Sequence, residues 1–145
     1  MTSNEILEVI RQRIGQAVSE IDGDPPIYGD DFLLSYVKTA NFNLTVLGVT
    51  TGITVSSSSI TPDATIDIGM LLASGAAALI IGDDLLNRLK NGELGLSFST
   101  GASQISTNQA AINLKSSGDQ IKHWHDMLLA VYLSRDPNAV ILRAQ

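Results

Sequence analysis

The 145-residue chain contains no cysteine, which excludes disulfide bonds and thiolate metal sites and gives no sign of a secreted, disulfide-stapled domain. Charged residues are also scarce, at 17% of the chain, and the formal net charge is -6. Affinity for nucleic acid comes mainly from phosphates neutralised by Lys and Arg, so nine scattered basic residues predict no DNA-binding face. A surface poor in charge costs less to desolvate against another protein.

A long hydrophobic run is missing as well. The most apolar window, residues 66–81, spans about 16 residues and contains Asp67 and Ser74, whereas a bilayer span needs about 20 apolar residues. The first five residues lack the basic start and apolar run of a signal peptide. We therefore expect a buried core helix at 66–81 and no membrane partner.

The side chains that could catalyse a reaction or bind a metal are not spaced so that they would share one site. His123 and His125 stand two apart on a predicted helix and point in different directions, and the adjacent Asp83 and Asp84 diverge by about 100°. The acids between 22 and 31 lack the spacing of a calcium-binding loop, and neither a phosphate-binding loop nor a Gly-x-Ser-x-Gly turn occurs. We predict no catalytic residue, no cofactor and no metal site. A small hydrolase using residues 123–126 is the weakest alternative.

Apolar residues at helical spacing predict four helices. The first runs from about 3 to 21, with Thr2 and Glu5 at capping-box spacing. The second is expected to be capped by Asp30 or Asp31 and to end at Gly48. The third is expected to start at 61–63, a Thr-Pro-Asp sequence, and to reach about residue 90, with a kink or restart at 82–84.

The last helix is predicted from about 108 to 134, capped by Ser106 or Thr107 and stopped by the Asp-Pro pair at 136–137. Its expected buried face contains Ile121, Trp124, Leu128 and Val131, extended by Ala111 and Leu114. A loop is expected at 101–104.

β-Branched residues and serines between 49 and 61 predict one or two strands around a turn, or a mobile loop, and alternation at 93–100 predicts a half-buried strand. The fold class is therefore mainly α, a bundle of about four helices with a small β insertion from 49–61 and 93–100. We expect a single domain over 1–137, followed by a C-terminal docking tail at 138–145 with an apolar run at 139–142.

The order of these parts resembles the head–tail connector proteins, also called adaptor or neck proteins, of tailed bacteriophages. The segments that carry the resemblance are Asp31-Phe-Leu-Leu-Ser-Tyr-Val-Lys-Thr-Ala40, Leu85-Leu-Asn-Arg-Leu-Lys90, Gly92-Glu-Leu-Gly-Leu-Ser-Phe-Ser-Thr100 and Ile105-Ser-Thr107. The resemblance covers residues 5–134, and it consists of an order of elements rather than a signature motif.

The resemblance implies a virion structural protein, made in the host cytoplasm, that forms a ring in the neck between head and tail. Such rings are typically twelvefold, bind the portal protein above and a tail or neck protein below, and let DNA pass without binding it. Exposed strands can add to a neighbour's sheet, and an apolar tail left exposed is a liability. The expected interface residues are Ile53, Val55, Leu94, Leu96, Phe98, Val140, Ile141 and Leu142.

An alternative hypothesis for the function is a small helical regulator or assembly chaperone that forms a closed dimer through the apolar helix at 64–81. This hypothesis predicts no larger ring.

Overall fold

The computed structural model describes the backbone of residues 1–22, 28–90 and 102–135, and the side chains of 1–15, 28–87 and 115–135. These residues form four helices and two short strands: α1 Ser3–Asp22, α2 Asp30–Val46, β1 Thr54–Val55, β2 Ile60–Thr61, α3 Ile66–Lys90 and α4 Ala102–Arg135. The prediction of a mainly helical fold with a small β insertion is confirmed. The strand expected at 93–100 and the tail expected at 138–145 lie outside the described residues.

The start of α1 follows its sequence signal. The amide of Glu5 donates to the Thr2 hydroxyl at 3.3 Å, and that hydroxyl donates to the Glu5 carboxylate, also at 3.3 Å. Thr2 therefore caps the helix as the spacing predicts, while the Glu5 carboxylate accepts from the Thr2 hydroxyl and not from the backbone amide of a full capping box. The next residue, Ser3, connects α1 to the strand β2: its hydroxyl donates to the Ile60 carbonyl at 3.1 Å and accepts from the Ile60 amide at 2.8 Å.

The two ends of α2 are built differently. At its start the cap position is Gly29, without a side-chain cap, so the expectation that Asp30 or Asp31 caps the helix is wrong. Both acids lie in the first turn, where they face the positive end of the helix dipole. At its end Gly48 adopts a φ of 91° and donates to the Thr45 carbonyl at 3.0 Å, while Val49 donates to the Leu44 carbonyl at 2.9 Å. This glycine-based stop is the one predicted.

The segment from 49 to 61 forms a β-hairpin. Thr54 pairs with Thr61 and Val55 with Ile60 in an antiparallel register. The Ser56 hydroxyl holds the turn, because it accepts from the amide of Ser59 at 3.1 Å and donates to that residue's carbonyl, also at 3.1 Å. Serine suits this position because its hydroxyl satisfies backbone groups that a short hairpin leaves unpaired. The prediction of two strands around a turn is confirmed.

The predicted start of α3 is wrong. Thr61 belongs to β2, and the helix begins at Ile66. Thr65 stands where the cap is needed, with its hydroxyl accepting from the Ile68 amide at 3.4 Å. Thr61 pairs in the hairpin, and the Ala64 amide donates to the Met1 carbonyl at 2.9 Å, so these residues are held outside the helix. Tertiary pairing has overridden a local helix-start signal.

The start of α4 is also earlier than expected. The helix begins at Ala102, not near 108, so the loop predicted for 101–104 is wrong from 102 onward. The last described residue of α4 is Arg135, close to the predicted stop.

In α3 the helix runs without interruption through Gly82 and the two aspartates that follow it, and the expected restart there does not occur.

The helix α3 lies at the centre of the fold, and α1, α2 and α4 all pack on it. Its apolar and small side chains from 68 to 81 are almost all buried. It is also the one helix of the described residues that is long and apolar enough to cross a bilayer, over Ile66–Asn87. Because 61% of that window is buried inside the chain, the burial favours the expected core helix.

Candidate functional site

One polar pair joins the two longest helices in the interior. Ser74, halfway along the buried face of α3, has no exposed surface, and its hydroxyl lies 2.7 Å from Nδ1 of His125 on α4. Gly75 makes this approach possible, because a Cβ there would lie 3.2 Å from Cε1 of His125 and 3.3 Å from Cβ of Ala40 on α2. Three helices therefore meet closely around this pair.

The donor and acceptor roles in this pair depend on the tautomer of His125. The Ser74 hydroxyl also lies 3.2 Å from the Leu71 carbonyl, which can only accept. When the hydroxyl donates to that carbonyl, the serine oxygen accepts from Nδ1–H of the imidazole, and when it donates to Nδ1, the proton of neutral His125 lies on Nε2. Burial lowers the pKa of His125 from its ordinary value of 6.5, and the carboxylate of Asp126 offsets part of that shift.

A half-open cavity of about 230 Å³ lies beside the pair, and its polar lining includes Asn43 from α2 and Lys122 and Asp126 from α4. A serine near a histidine suggests nucleophilic catalysis, but a nucleophile has to reach its substrate. Ser74 is fully buried, and its hydroxyl lies within hydrogen-bond distance of both the helix backbone and His125. The pair therefore has the geometry of an interhelical hydrogen bond that satisfies a buried polar group.

The remaining titratable candidates are dispersed. His123 is exposed on α4, while Asp83 accepts a 2.7 Å hydrogen bond from the hydroxyl of Tyr36. Burial and this carboxylate raise the pKa of Tyr36 to about 12. In the described ranges no three His, Asp or Glu side chains come together in a way that suits a metal ion.

The predicted buried face of α4 is only partly buried. Ile121 is 7% exposed and lies in the core, while Trp124 and Leu128 are half-buried and Val131 is 47% exposed. The guanidinium of Arg13 on α1 lies 4.4 Å from the centre of the Trp124 ring. Trp124 thus has a cation over its ring and is not one of the buried core residues. The side chains at 111 and 114 lie outside those described.

Two of the eight predicted interface residues lie among the described residues. Val55 is 7% exposed and belongs to the core, and Ile53 is half-buried against it. The Ile53 carbonyl accepts from the side-chain amide of Asn41 at 3.1 Å, so this part of the insertion is bound to α2. The other six, which lie outside the described residues, are Leu94, Leu96, Phe98, Val140, Ile141 and Leu142. The interface role of these residues stays a prediction.

Exposed apolar side chains cluster at the end of α2. Phe42 is 66% exposed, Val46 is 69% exposed and Leu47 is 56% exposed. Phe42 and Val46 are four residues apart and share one helix face. We call these three residues the α2 patch. Isolated exposed apolar residues are ordinary, whereas large contiguous apolar surfaces are typical of binding sites.

Sequence reasoning missed both the Ser74–His125 pair and the α2 patch. Ser74 gave a signal, since a lone hydroxyl inside a nearly all-apolar helix needs a polar partner. His125, one of two histidines in the chain, was a candidate for that partner. The α2 patch also gave a signal, since at 100° per residue Phe42 and Val46 fall on the side of α2 opposite the stripe that contains Val37 and Leu44.

Comparison with protein-family models, with curated proteins and with solved structures gives no match for this chain.

Proposed function

We propose that this chain is a structural assembly protein, and specifically a head–tail connector that forms a ring between the portal and the tail of a tailed bacteriophage. The ring binds the portal protein on one side and a tail or neck protein on the other. In this proposal the protein is no enzyme, and it acts through its surfaces. The phage assignment rests on the order of elements quoted from the sequence, and the assembly role rests on the surface described below.

The observation that carries the assembly role is the α2 patch. The fold already has a complete apolar core around α3, with side chains of all four helices buried in it. Large apolar side chains left at 56–69% exposure on one end of α2 are therefore surplus to the core. Such a surface gains free energy when a partner covers it.

The charge supports the same role. A net charge of -6 gives a channel-lining protein no general attraction for DNA phosphates. DNA that has to pass through a ring should slide along its inner surface without adhering to it.

The structure disfavours the alternative of a regulator or chaperone that dimerises through 64–81. Leu71, Leu72, Ala76, Ala77 and Ile81 are each at most 1% exposed, because α1, α2 and α4 cover them. A dimer through this helix would need the chain to open its own core. A closed dimer would have to use another surface, and the α2 patch is the candidate.

Mass measurement of the purified full-length chain, alone and co-expressed with the portal protein of the same phage, tests the proposal. We expect a discrete ring of many copies on the portal. The variant Phe42→Asp is expected to weaken ring formation at least tenfold, because it places a charge in the buried contact. Gln120→Asp adds the same charge at an exposed polar position of α4 and should assemble like the unmodified chain.

A chain that stays monomeric with and without the portal protein refutes the proposal. A closed dimer that never joins a larger ring supports the regulator instead. If the Phe42 and Gln120 variants assemble equally well, the α2 patch is not the contact.

A further inference from the structure

A groove lies between the start of α3 and the last two turns of α4. It encloses about 190 Å³, and its apolar lining comes from Ile66 and Met70 on α3 and from Leu128, Val131 and Tyr132 on α4. Ile66 is 71% exposed and Val131 is 47% exposed, although both line this concave surface. An apolar groove with exposed walls gains free energy when an apolar segment fills it.

The chain leaves α4 beside this groove. Arg135, the last described residue of the helix, contributes to the lining, and its guanidinium lies 3.5 Å from the carboxylate of Asp67 on α3. Whatever follows residue 135 therefore begins at the groove. This fixes the starting point of the C-terminal segment without any assumption about its conformation.

The sequence that follows has the composition to turn back and to fill the groove. Residues 136–138 are Asp-Pro-Asn, which favours a turn, and residues 139–142 are the apolar Ala-Val-Ile-Leu. Seven residues separate Arg135 from Leu142 and span at most about 23 Å. The distance along α4 from Leu128 to Arg135 is only about 10 Å. The apolar run therefore has ample length to reach the part of the lining that α4 contributes.

We propose that residues 139–142 dock in the groove of their own chain. A tail tethered this close is present at an effective concentration of about millimolar, far above that of a second copy in dilute solution. Docking also removes an apolar run from water in the free protein. The proposal concerns a surface on α3 and α4, separate from the α2 patch, and it does not depend on the phage assignment.

Disulfide trapping tests the docking, and the chain suits it because it has no cysteine of its own. The full-length variant Val131→Cys with Ile141→Cys places one thiol in the groove and one in the tail. The matched control is Ala130→Cys with Ile141→Cys, since Ala130 is exposed and points about 100° away from Val131 around the same helix. The tether length is nearly identical in the two variants.

We expect the Val131 variant to form an intramolecular disulfide at least tenfold faster than the control at micromolar protein, and to remain monomeric on a non-reducing gel. Equal rates in the two variants would overturn the proposal, because the tail would then show no preference for the groove. A disulfide-linked dimer would overturn it in favour of docking on a second copy. Helical circular dichroism of both variants confirms that the fold is retained.

Discussion

Removing the Ser74 hydroxyl is predicted to destabilise the packing of α4 on α3. In Ser74→Ala the Nδ1 atom of His125 loses its hydrogen-bond partner, which lies 2.7 Å away in the intact protein. His125 is half-buried and borders a half-open cavity, so water can replace that partner, and the expected cost is that of one hydrogen bond, about 0.5–1.5 kcal/mol. The free energy of unfolding of a small domain is only about 5–15 kcal/mol, so a denaturant titration can measure this loss.

The same site predicts how stability depends on pH. Burial lowers the folded-state pKa of His125 below the ordinary 6.5 of the unfolded chain. As pH falls below 6.5, the unfolded chain therefore takes up the proton first. The contribution of His125 to the free energy of unfolding is fully present above pH 6.5 and declines as pH falls from there to the lowered folded-state pKa, where the decline ends.

Urea unfolding followed by circular dichroism between pH 8 and pH 5 measures both effects. His125→Gln is expected to lose the pH dependence that arises from this histidine. His123→Gln, an exposed position two residues away on the same helix, is the matched control and should keep the slope of the unmodified chain. If His125→Gln and the unmodified chain lose stability equally between pH 6.5 and pH 5, the reasoning is wrong.

Three further substitutions probe other contacts between the helices. Gly118→Val should lower the free energy of unfolding by about 1–3 kcal/mol in a urea titration, because even a Cβ added at this position would lie 3.0 Å from Cγ2 of Ile81 on α3. In an ultraviolet titration Tyr36 should ionise near pH 12, and Asp83→Asn should bring that ionisation closer to pH 10, since it removes the carboxylate that opposes the phenolate. Arg13→Ala should cost about 0.5–1 kcal/mol and should change the emission of Trp124, because it removes the cation over the ring.

The helices could be predicted where a local signal and the tertiary structure agree. At the start of α1 and the end of α2, Thr2 and Gly48 act within one turn of their own chain, so the residue types alone determine the geometry. At Thr61 they disagree. A Thr-Pro-Asp sequence favours a helix start, but pairing with Thr54 across the hairpin takes Thr61 into a strand and delays α3 until Ile66.

The candidate site was harder to predict because it depends on contacts between distant positions. Ser74 and His125 are 51 residues apart, and their meeting requires the close approach that Gly75 permits. Val55 shows the same dependence on distant contacts. Its place in a β-prone segment says nothing about which side of the strand is covered, and in the structure the hairpin contacts α2 while this side chain is only 7% exposed.

The central position of α3 has a consequence for the order in which the chain folds during synthesis. The helices α1 and α2 make far fewer contacts with each other than either makes with α3. The first 65 residues therefore emerge from the ribosome before the surface that covers their apolar stripes. Because chains are made from the N-terminus, nascent α1 and α2 must wait for α3, and this interval is when the growing chain is most in need of protection from aggregation.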